Sequence, residues 1–235
     1  MLKIKDYIKN KVIMNYKKNK DDTNKILLGK ILSKINNSSN NLNIQDSEFK
    51  VFSQFGEDGI INYLIQKTQI KENERYFIEI GVGDYSECNS KFLLKGSYWQ
   101  GAAIEANSNH VEKIRSQDYC WKYGLRVVNK WVSLDNINEI IKSSLKDNNL
   151  GLLSIDLDGN DYWIWKEINI IKPIIVVIEW NSLFGKNKSL TIPYEKNFIR
   201  EKKHYSGQYW GASIKAFQEL GKSKGYLMVG SNSAG

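Results

Sequence analysis

Short apolar runs alternate with helix-like stretches over most of the chain, and this alternation predicts the fold. Six apolar runs have the composition of strands buried in a parallel sheet: 76–81, 101–105, 125–132, 151–157, 173–179 and 226–230. Helical periodicity fills the spaces between them: near 87–95 and 108–116, and over 135–147, 161–168 and 211–223. Repeated β-then-α units with right-handed crossovers predict an α/β fold, a doubly wound and mostly parallel sheet.

The first 45 residues have a different pattern. Apolar residues approximate two helical stripes: Leu2, Ile4, Ile8, Val12, Ile13 and Tyr16, then Ile26, Leu27, Ile31, Leu32 and Ile35. The Asn/Ser run at 36–41 is typical of a linker. We therefore predict two small amphipathic helices in an extension (1–45) that precedes one domain (46–235). The extension can pack on the core, pair with another subunit as a homo-oligomer contact, or lie on a membrane; the first two are the simpler readings.

Composition limits the class of protein. The chain has 235 residues and is 41% hydrophobic, which suffices for one sizeable α/β core with an appendage. The net charge is +8, and residues 1–50 carry 11 Lys against 5 Asp and Glu. A lysine-rich extension can touch lipid, nucleic acid or an acidic partner, although a solvated helical face is the simpler explanation. Two cysteines form no disulfide framework, and no apolar segment is long enough for a signal peptide or membrane span, so we expect a cytoplasmic protein.

A strand that ends in an acid and two glycines is the most informative motif. The run 76–85 leads from an apolar strand through Glu79 to Gly81-x-Gly83, as a buried parallel strand does when it turns under a nucleotide-like cofactor. About twenty residues later a second strand ends in Glu105, where an acid can hold a ribose hydroxyl pair. These residues predict an adenosine-containing cofactor bound by Glu79, Gly81, Gly83 and Glu105. A plain strand-to-helix turn is the alternative.

The glycine spacing narrows the choice of cofactor. A dinucleotide's pyrophosphate prefers the full Gly-x-Gly-x-x-Gly in front of a helix, but Ser86 stands at the third glycine position. Acidic surroundings instead suit a positively charged sulfonium.

Carboxylates follow two neighbouring predicted strands. Asp156 and Asp158 come after one strand, and Glu179 and Asn181 after the next, so adjacent strands would bring all four to one rim. Such a set suits a hard cation such as Mg²⁺ or Ca²⁺, or it can orient a substrate hydroxyl and act as a general base. The spacing is not that of an EF-hand.

The segment 182–213 is long and aromatic, and long loops after a strand's carboxyl end often cover functional sites. His204 in this segment is a candidate base for a substrate hydroxyl, although a surface histidine is an equally good reading. The chain contains no Walker loop, Cys-x-x-Cys pair or Gly-x-Ser-x-Gly elbow.

Taken together, these motifs over roughly residues 50–235 resemble the class I S-adenosylmethionine-dependent methyltransferases, and within them the FkbM-like family. The segment 79–83 resembles the family's glycine motif, Glu105 its ribose-binding acid, and 155–159 its acidic-glycine motif after strand four, with Asp158 where Glu is common. The resemblance implies a Rossmann-like methyltransferase sheet and S-adenosylmethionine as cofactor, with Asp156 also near the cofactor. Such a sheet has one further antiparallel strand, which we expect to be missing here.

The placement of Glu179 and Asn181 is similar to that in metal-dependent catechol-type O-methyltransferases, with Glu in place of Asp. The Asn/Asp-Pro-Pro-aromatic motif of nucleic-acid amino-methyltransferases is absent, so no nucleic-acid substrate is expected.

The expected function is therefore methyl transfer to a hydroxyl of a small molecule or sugar, for example a glycan precursor. Asp156 and Asp158 are the expected catalytic residues, with His204 a weaker candidate, and Mg²⁺ or another divalent cation would bind Asp156, Asp158, Glu179 and Asn181. Two alternatives remain: an NAD-dependent oxidoreductase, and a non-catalytic domain that acts through its basic N-terminal helices.

Overall fold

Five parallel strands form one sheet in the computed structural model, which describes residues 2–39 and 43–234, with side chains from residue 20 onward. The strands are β1 (Tyr76–Ile80), β2 (Gln100–Glu105), β3 (Leu125–Asn129), β4 (Leu152–Ile155) and β5 (Ile175–Ile178). Their order in the sheet is β3-β2-β1-β4-β5. The predicted doubly wound α/β fold of Rossmann-like type is confirmed.

Helices connect the strands, as the periodicity predicts. Their bounds are α1 (Leu2–Ser38), α2 (Glu57–Lys67), α3 (Lys91–Ser97), α4 (Ser108–Arg115), α5 (Tyr119–Tyr123), α6 (Ile137–Ser144), α7 (Asp161–Glu167), α8 (Arg200–Lys203) and α9 (Ile214–Ser223). Short 3₁₀ turns lie at Ile44–Ser47, Glu72–Glu74 and Ser182–Phe184. No helix among the described residues combines the length and the apolarity needed to cross a membrane.

Neighbouring residues of a strand point to opposite faces of the sheet, and helices cover the apolar side chains on both faces. Phe77 of β1 packs in one apolar cluster with residues of α2, α3, α4 and α5. Ile78, the next residue, packs in a second cluster with residues of α6, α7 and α9. Both side chains are fully buried. Burial on both faces explains why the strands are mostly apolar rather than alternating between apolar and polar residues.

The N-terminal prediction of two helices is wrong, because a single helix, α1, runs from Leu2 to Ser38. The side chains of the first predicted stripe lie outside the described residues, as does part of the predicted linker. The asparagine and serine residues at 36–38 continue the helix. There the Asn36 side chain donates to the Ser47 carbonyl (3.0 Å), so a tertiary contact offsets their weak helix propensity. The domain boundary at residue 45 stays a prediction.

The sixth predicted strand, 226–230, is also wrong. Leu227 and Val229 are exposed, and the segment joins no ladder among the described residues. Contacts at its far end hold it against the 44–57 region instead. Gln45 donates to the Ser231 carbonyl (2.9 Å), and Ser233 bonds Glu48 through both its backbone and its hydroxyl (2.6 Å each).

The strand order places a reversal between β1 and β4. The chain adds β2 and β3 on one side of β1 and then crosses to add β4 and β5 on the other. In open parallel sheets the crevice at such a point, beyond the strands' carboxyl ends, is where ligands bind.

Candidate functional site

The carboxyl ends of the strands bring the predicted site residues to one edge of the sheet. Ladder hydrogen bonds continue one step past the strands: Gly81 N donates to Ile104 O (2.9 Å), Asp156 N to Ile80 O (3.0 Å) and Glu179 N to Ile155 O (3.2 Å). A pocket of about 320 Å³ opens at this edge. Its lining consists of Ile80, Gly81, Gly83, Ile104, Glu105, Ala106, His110, Lys130, Trp131, Val132, Asp156, Leu157, Asp158, Asn160 and Phe198.

The two glycines of the turn after β1 have different structural requirements. Gly81 has a φ of +80°, and a Cβ added there would lie 1.6 Å from the carbonyl oxygen of Asp156. Only glycine therefore lets β1 and the loop after β4 approach so closely. Gly83 has a φ of +54°, and no described atom would lie within 4 Å of its Cβ. The space over Gly83 is thus open toward the pocket that it lines.

Glu105 is held by the backbone at the end of β2. Its carboxylate accepts hydrogen bonds from Gly83 N and from Asn107 N, each at 2.8 Å. The imidazole Nδ1 of His110 lies 3.8 Å from the same carboxylate and has no hydrogen-bond partner among the described residues. These bonds fix the carboxylate at the rim of the pocket, where it can accept hydroxyl hydrogen bonds.

Glu79 lies beneath the turn rather than in the pocket. Its buried carboxylate accepts hydrogen bonds from Asn89 N (2.7 Å) and Ser90 N (2.9 Å), and burial raises its pKa to about 7. Glu79 therefore positions the loop that carries the glycines. Asp84 in that loop pairs with Lys113 and accepts from Ser86 N (2.9 Å), and the hydrogen bond to Lys113 lowers the Asp84 pKa.

Three carboxylates from the ends of β4 and β5 meet beside the pocket. One oxygen each from Asp156, Asp158 and Glu179 lies within 4.8 Å of the others. Burial and the nearby Asp156 raise the pKa of Glu179 to about 9. Asp156 is open to the pocket, but its recessed position and Asp158 raise its pKa to about 6. At neutral pH Glu179 is therefore protonated and hydrogen-bonded to an ionised Asp156, while its second oxygen is buried without a partner among the described groups.

Arg200 connects this cluster to the 182–213 loop. Its guanidinium pairs with Asp158 (2.6 Å), its Nε donates to the Gly207 carbonyl (2.6 Å), and it stacks 4.5 Å from the ring centroid of Trp210. Asp158 itself has a φ of +53°. The ion pair thus fixes the exposed carboxylate of Asp158 at the pocket rim, where the backbone of Asp158 has a left-handed conformation.

Side chains outside the 182–213 loop hold several of its backbone carbonyls. The indole of Trp131 donates to Lys196 O (2.9 Å), the indole of Trp163 to Ile192 O (2.8 Å), and the Asn160 amide to Glu195 O (2.8 Å). Phe198 packs so closely on Gly159 that a Cβ there would lie 2.3 Å from its ring. The loop therefore forms one wall of the pocket.

Asn181, predicted as a cation ligand, has its amide bound to backbone groups. The amide nitrogen donates to Gln208 O (3.2 Å) and Trp210 O (3.0 Å), and the oxygen accepts from Leu183 N (3.0 Å). Its side chain is 1% exposed. We accordingly assign Asn181 to holding the 182–213 loop rather than to a cation site.

His204 lies on the same loop, exposed, with its Nδ1 2.7 Å from the Ser206 hydroxyl. It is not among the described residues that line the pocket. Asp161, at the start of α7, is fully buried and accepts from Leu157 N (2.7 Å) and Gly159 N (3.0 Å). Burial raises the Asp161 pKa to about 7. Asp161 therefore shapes the loop after β4.

Sequence reasoning did not assign the pocket-lining residues His110, Lys130 and Trp131 to the site, and it placed Phe198 there only as part of the 182–213 segment. The signal that could have found Lys130 and Trp131 is their position directly after β3, next to the strand that ends in Glu105. For Phe198 the signal was the long aromatic segment 182–213, but which of its residues enters the pocket depends on contacts between distant residues.

The raised pKa values of three buried carboxyl groups predict that the free energy of unfolding decreases as pH rises. The pKa values of Glu79, Asp161 and Glu179 are raised in the folded protein to about 7, 7 and 9. In the unfolded chain the pKa of these groups is about 4. At a pH between this pKa and the folded-state pKa, the folded state holds more protons than the unfolded state, so the free energy of unfolding falls as pH rises. We expect Glu179→Gln to have a higher melting temperature than wild type at pH 8.5, by on the order of 5 °C, and a similar one at pH 5.

Thermal melts monitored by circular dichroism test this, with the exposed Glu112→Gln as the matched control that should follow wild type. An equal effect of Glu179→Gln at both pH values would contradict the assignment of a raised pKa.

Comparisons with known proteins identify no family. No protein-family model matches the chain, and no curated protein matches it. Among solved structures, an O-methyltransferase from Bacillus cereus in complex with SAH is similar at 17% identity, covering 68% of this chain and 71% of that one, with a TM-score of 0.41. The O-methyltransferase TomG from Streptomyces achromogenes, involved in tomaymycin synthesis and solved with SAM, is similar at 16% identity, covering 63% and 69%, with a TM-score of 0.39. At these scores the assignment of a function depends on the residues of the pocket.

Proposed function

We propose that the protein is an S-adenosylmethionine-dependent O-methyltransferase that acts on a hydroxyl of a small molecule, most simply a sugar of the FkbM-like substrate class. The observation that carries the proposal is the pocket at the sheet reversal, where an open glycine turn after β1 faces a backbone-fixed carboxylate at the end of β2. The glycine turn can admit a ligand close to the backbone, and the carboxylate of Glu105 can hold two vicinal hydroxyls. The volume of about 320 Å³ falls within the range of small-molecule sites.

The residues fit the proposed cofactor. Gly83 leaves the space over the turn open, Glu105 offers carboxylate oxygens for a ribose, and Trp131 offers an aromatic surface beside Glu105 for a base. The acidic rim formed by Asp156 and Asp158 favours a sulfonium cation. When bound, S-adenosylmethionine supplies an electrophilic methyl group.

The protein's own contribution is to position the acceptor and handle its proton. Asp156 is ionised above about pH 6 and can accept the proton of an acceptor hydroxyl, and the protonated Glu179 hydrogen-bonded to it orients its carboxylate. Arg200 holds Asp158 and the loop together, and the loop excludes water from the pocket. His204 is a weaker candidate, since it faces Ser206.

The alternative of an NAD-dependent enzyme is less well supported. A pyrophosphate needs a helix that starts within the glycine motif, and here α3 begins only at Lys91, ten residues after Gly81. Residues 82–90 form an irregular loop in between.

A divalent cation is a second proposal for the carboxylate cluster. Its oxygens suit Mg²⁺, but the cation would have to displace the proton of Glu179 and the guanidinium of Arg200.

Calorimetric titration with S-adenosylhomocysteine, in Mg²⁺ and then in EDTA, tests both proposals. We expect binding in both buffers. Binding only with Mg²⁺ would support the cation site, and no binding by folded protein would contradict the proposed function.

Glu105→Gln should weaken S-adenosylhomocysteine binding by roughly ten- to a hundredfold, because a charge-assisted hydrogen bond contributes about 1.5–3 kcal/mol. The variant keeps the shape of the side chain and an oxygen for Gly83 N. Calorimetry measures the change, and Glu112→Gln on the exposed side of α4 is the matched control. Unchanged affinity in Glu105→Gln would show that Glu105 does not bind the cofactor.

A further inference from the structure

Helix α1 has an outward-facing apolar surface. It consists of five residues that are between 41% and 61% exposed: Leu27, Leu28, Ile31, Leu32 and Ile35. At about 100° per residue they lie within an arc of about 140° on one side of the helix. We call these five residues the α1 apolar face. An apolar surface of this kind on a soluble domain marks a site of interaction.

The opposite side of α1 is already packed on the domain. A Cβ at Gly29 would lie 2.6 Å from Val51 and 2.9 Å from the ring of Phe92, so the helix approaches the domain closely there. Asp22, on the same side, pairs with Lys95 at 2.5 Å, and this pair is largely buried. These contacts fix the rotation of the helix, so the α1 apolar face cannot turn inward.

Lysines border the α1 apolar face on both sides. By helical position, Lys30 and Lys34 lie along one edge and Lys25 along the other, and all three are exposed. Residues 23–39 contain no Asp or Glu, and the whole of α1 carries ten lysines against three aspartates. Beside this edge, the exposed ring of Tyr98 lies with its centroid 6.0 Å from the Lys30 ammonium.

We propose that the α1 apolar face lies on the surface of an anionic lipid bilayer, with the helix axis in the plane of the membrane. The apolar side chains would enter the boundary between headgroups and acyl chains, and the lysines would extend to lipid phosphates. The exposed Tyr98 suits the same depth, since its ring is apolar and its hydroxyl polar.

Charge complementarity selects the lipid surface over a second copy of the chain. A symmetric dimer through the α1 apolar face would bring the lysines of one copy near those of the other, with no acid in 23–39 and only the exposed Asp21 beside the face to compensate. An anionic membrane offers the opposite charge along the whole helix.

Flotation of the full-length protein with lipid vesicles tests the proposal. We expect binding to vesicles of equal parts phosphatidylglycerol and phosphatidylcholine, and little binding to phosphatidylcholine alone. The triple variant Leu28→Gln, Ile31→Gln, Ile35→Gln removes the apolar contact, and Lys25→Gln, Lys30→Gln, Lys34→Gln removes the charge. Each should lower the partition coefficient at least tenfold, and the lysine variant by roughly a hundredfold.

A matched control, Ile170→Gln with Leu227→Gln, changes exposed apolar residues elsewhere and should bind as wild type does. Melting temperatures within a few degrees of wild type would show that the variants are folded. Absence of binding by wild type, or equal binding by the variants and wild type, would overturn the proposal. The proposal would also be overturned if the wild type did not bind the vesicles and sedimented as a dimer, while the apolar variant sedimented as a monomer.

Discussion

Replacing Gly81 with alanine is expected to destabilise the protein by more than about 4 kcal/mol and to abolish cofactor binding. The new Cβ would lie 1.6 Å from the Asp156 carbonyl oxygen and 2.8 Å from its carbonyl carbon, and backbone atoms cannot move aside as a flexible side chain can. The φ of +80° adds a further penalty for an L-residue. Relief requires that β1 and the loop after β4 separate, which opens the pocket floor.

Gly83→Ala is the matched control. Gly83 also has a positive φ, +54°, but no described atom lies within 4 Å of the added Cβ. We expect a loss of only about 1–2 kcal/mol from backbone strain. Chemical denaturation measures both variants. Equal destabilisation of the two would mean that backbone conformation, and not the contact with Asp156, sets the requirement for glycine at position 81.

Replacing Asp156 with asparagine is expected to lower the rate of methyl transfer by roughly a hundred- to ten-thousandfold, the usual contribution of a general base. The amide has nearly the same shape but cannot accept the proton of the acceptor hydroxyl. In the wild type the rate should rise through pH 6, where Asp156 loses its proton. The variant should lose that dependence.

The measurement is release of S-adenosylhomocysteine with an acceptor chosen from a panel of monosaccharides and nucleotide sugars. Asp135→Asn is the control, because Asp135 is an exposed carboxylate paired with Lys196 outside the pocket lining. A rate for Asp156→Asn within threefold of wild type would remove Asp156 from the mechanism, and the search for a base would turn to Asp158.

Local sequence signals predicted the strands and the residues that directly follow them. β1 and β4 are short, mostly apolar runs, so their positions could be located, and a parallel sheet necessarily brings Gly81 and Asp156 to one edge. Periodicity also predicted helices α3, α4, α6, α7 and α9, each of which begins later or ends earlier than predicted, but it did not predict the short helices α5 and α8.

Features that depend on contacts between distant residues were not predictable. Residues 226–230 have the apolar composition of a strand, but a strand must hydrogen-bond to a neighbouring strand. The chain just after this segment is instead held by the hydrogen bond from Ser233 to Glu48. Asn181 follows β5 as a ligand would, yet its amide is bound to the carbonyls of Gln208 and Trp210. The ion pair of Arg200 with Asp158 joins residues 42 positions apart. No periodicity or motif encodes such pairings.

The pocket has two parts that differ in how they are built. The glycine turn and Glu105 belong to the ends of strands in the centre of the sheet, and any change there disturbs the core. The opposite wall belongs to the 182–213 loop, which contacts the rest of the domain through Phe198, several hydrogen bonds and the two ion pairs Lys196–Asp135 and Arg200–Asp158. Variation can therefore accumulate in this loop while the sheet stays constant. If the proposed function holds, related chains would in this way diverge in the acceptor that they recognise and still keep a common methyl donor.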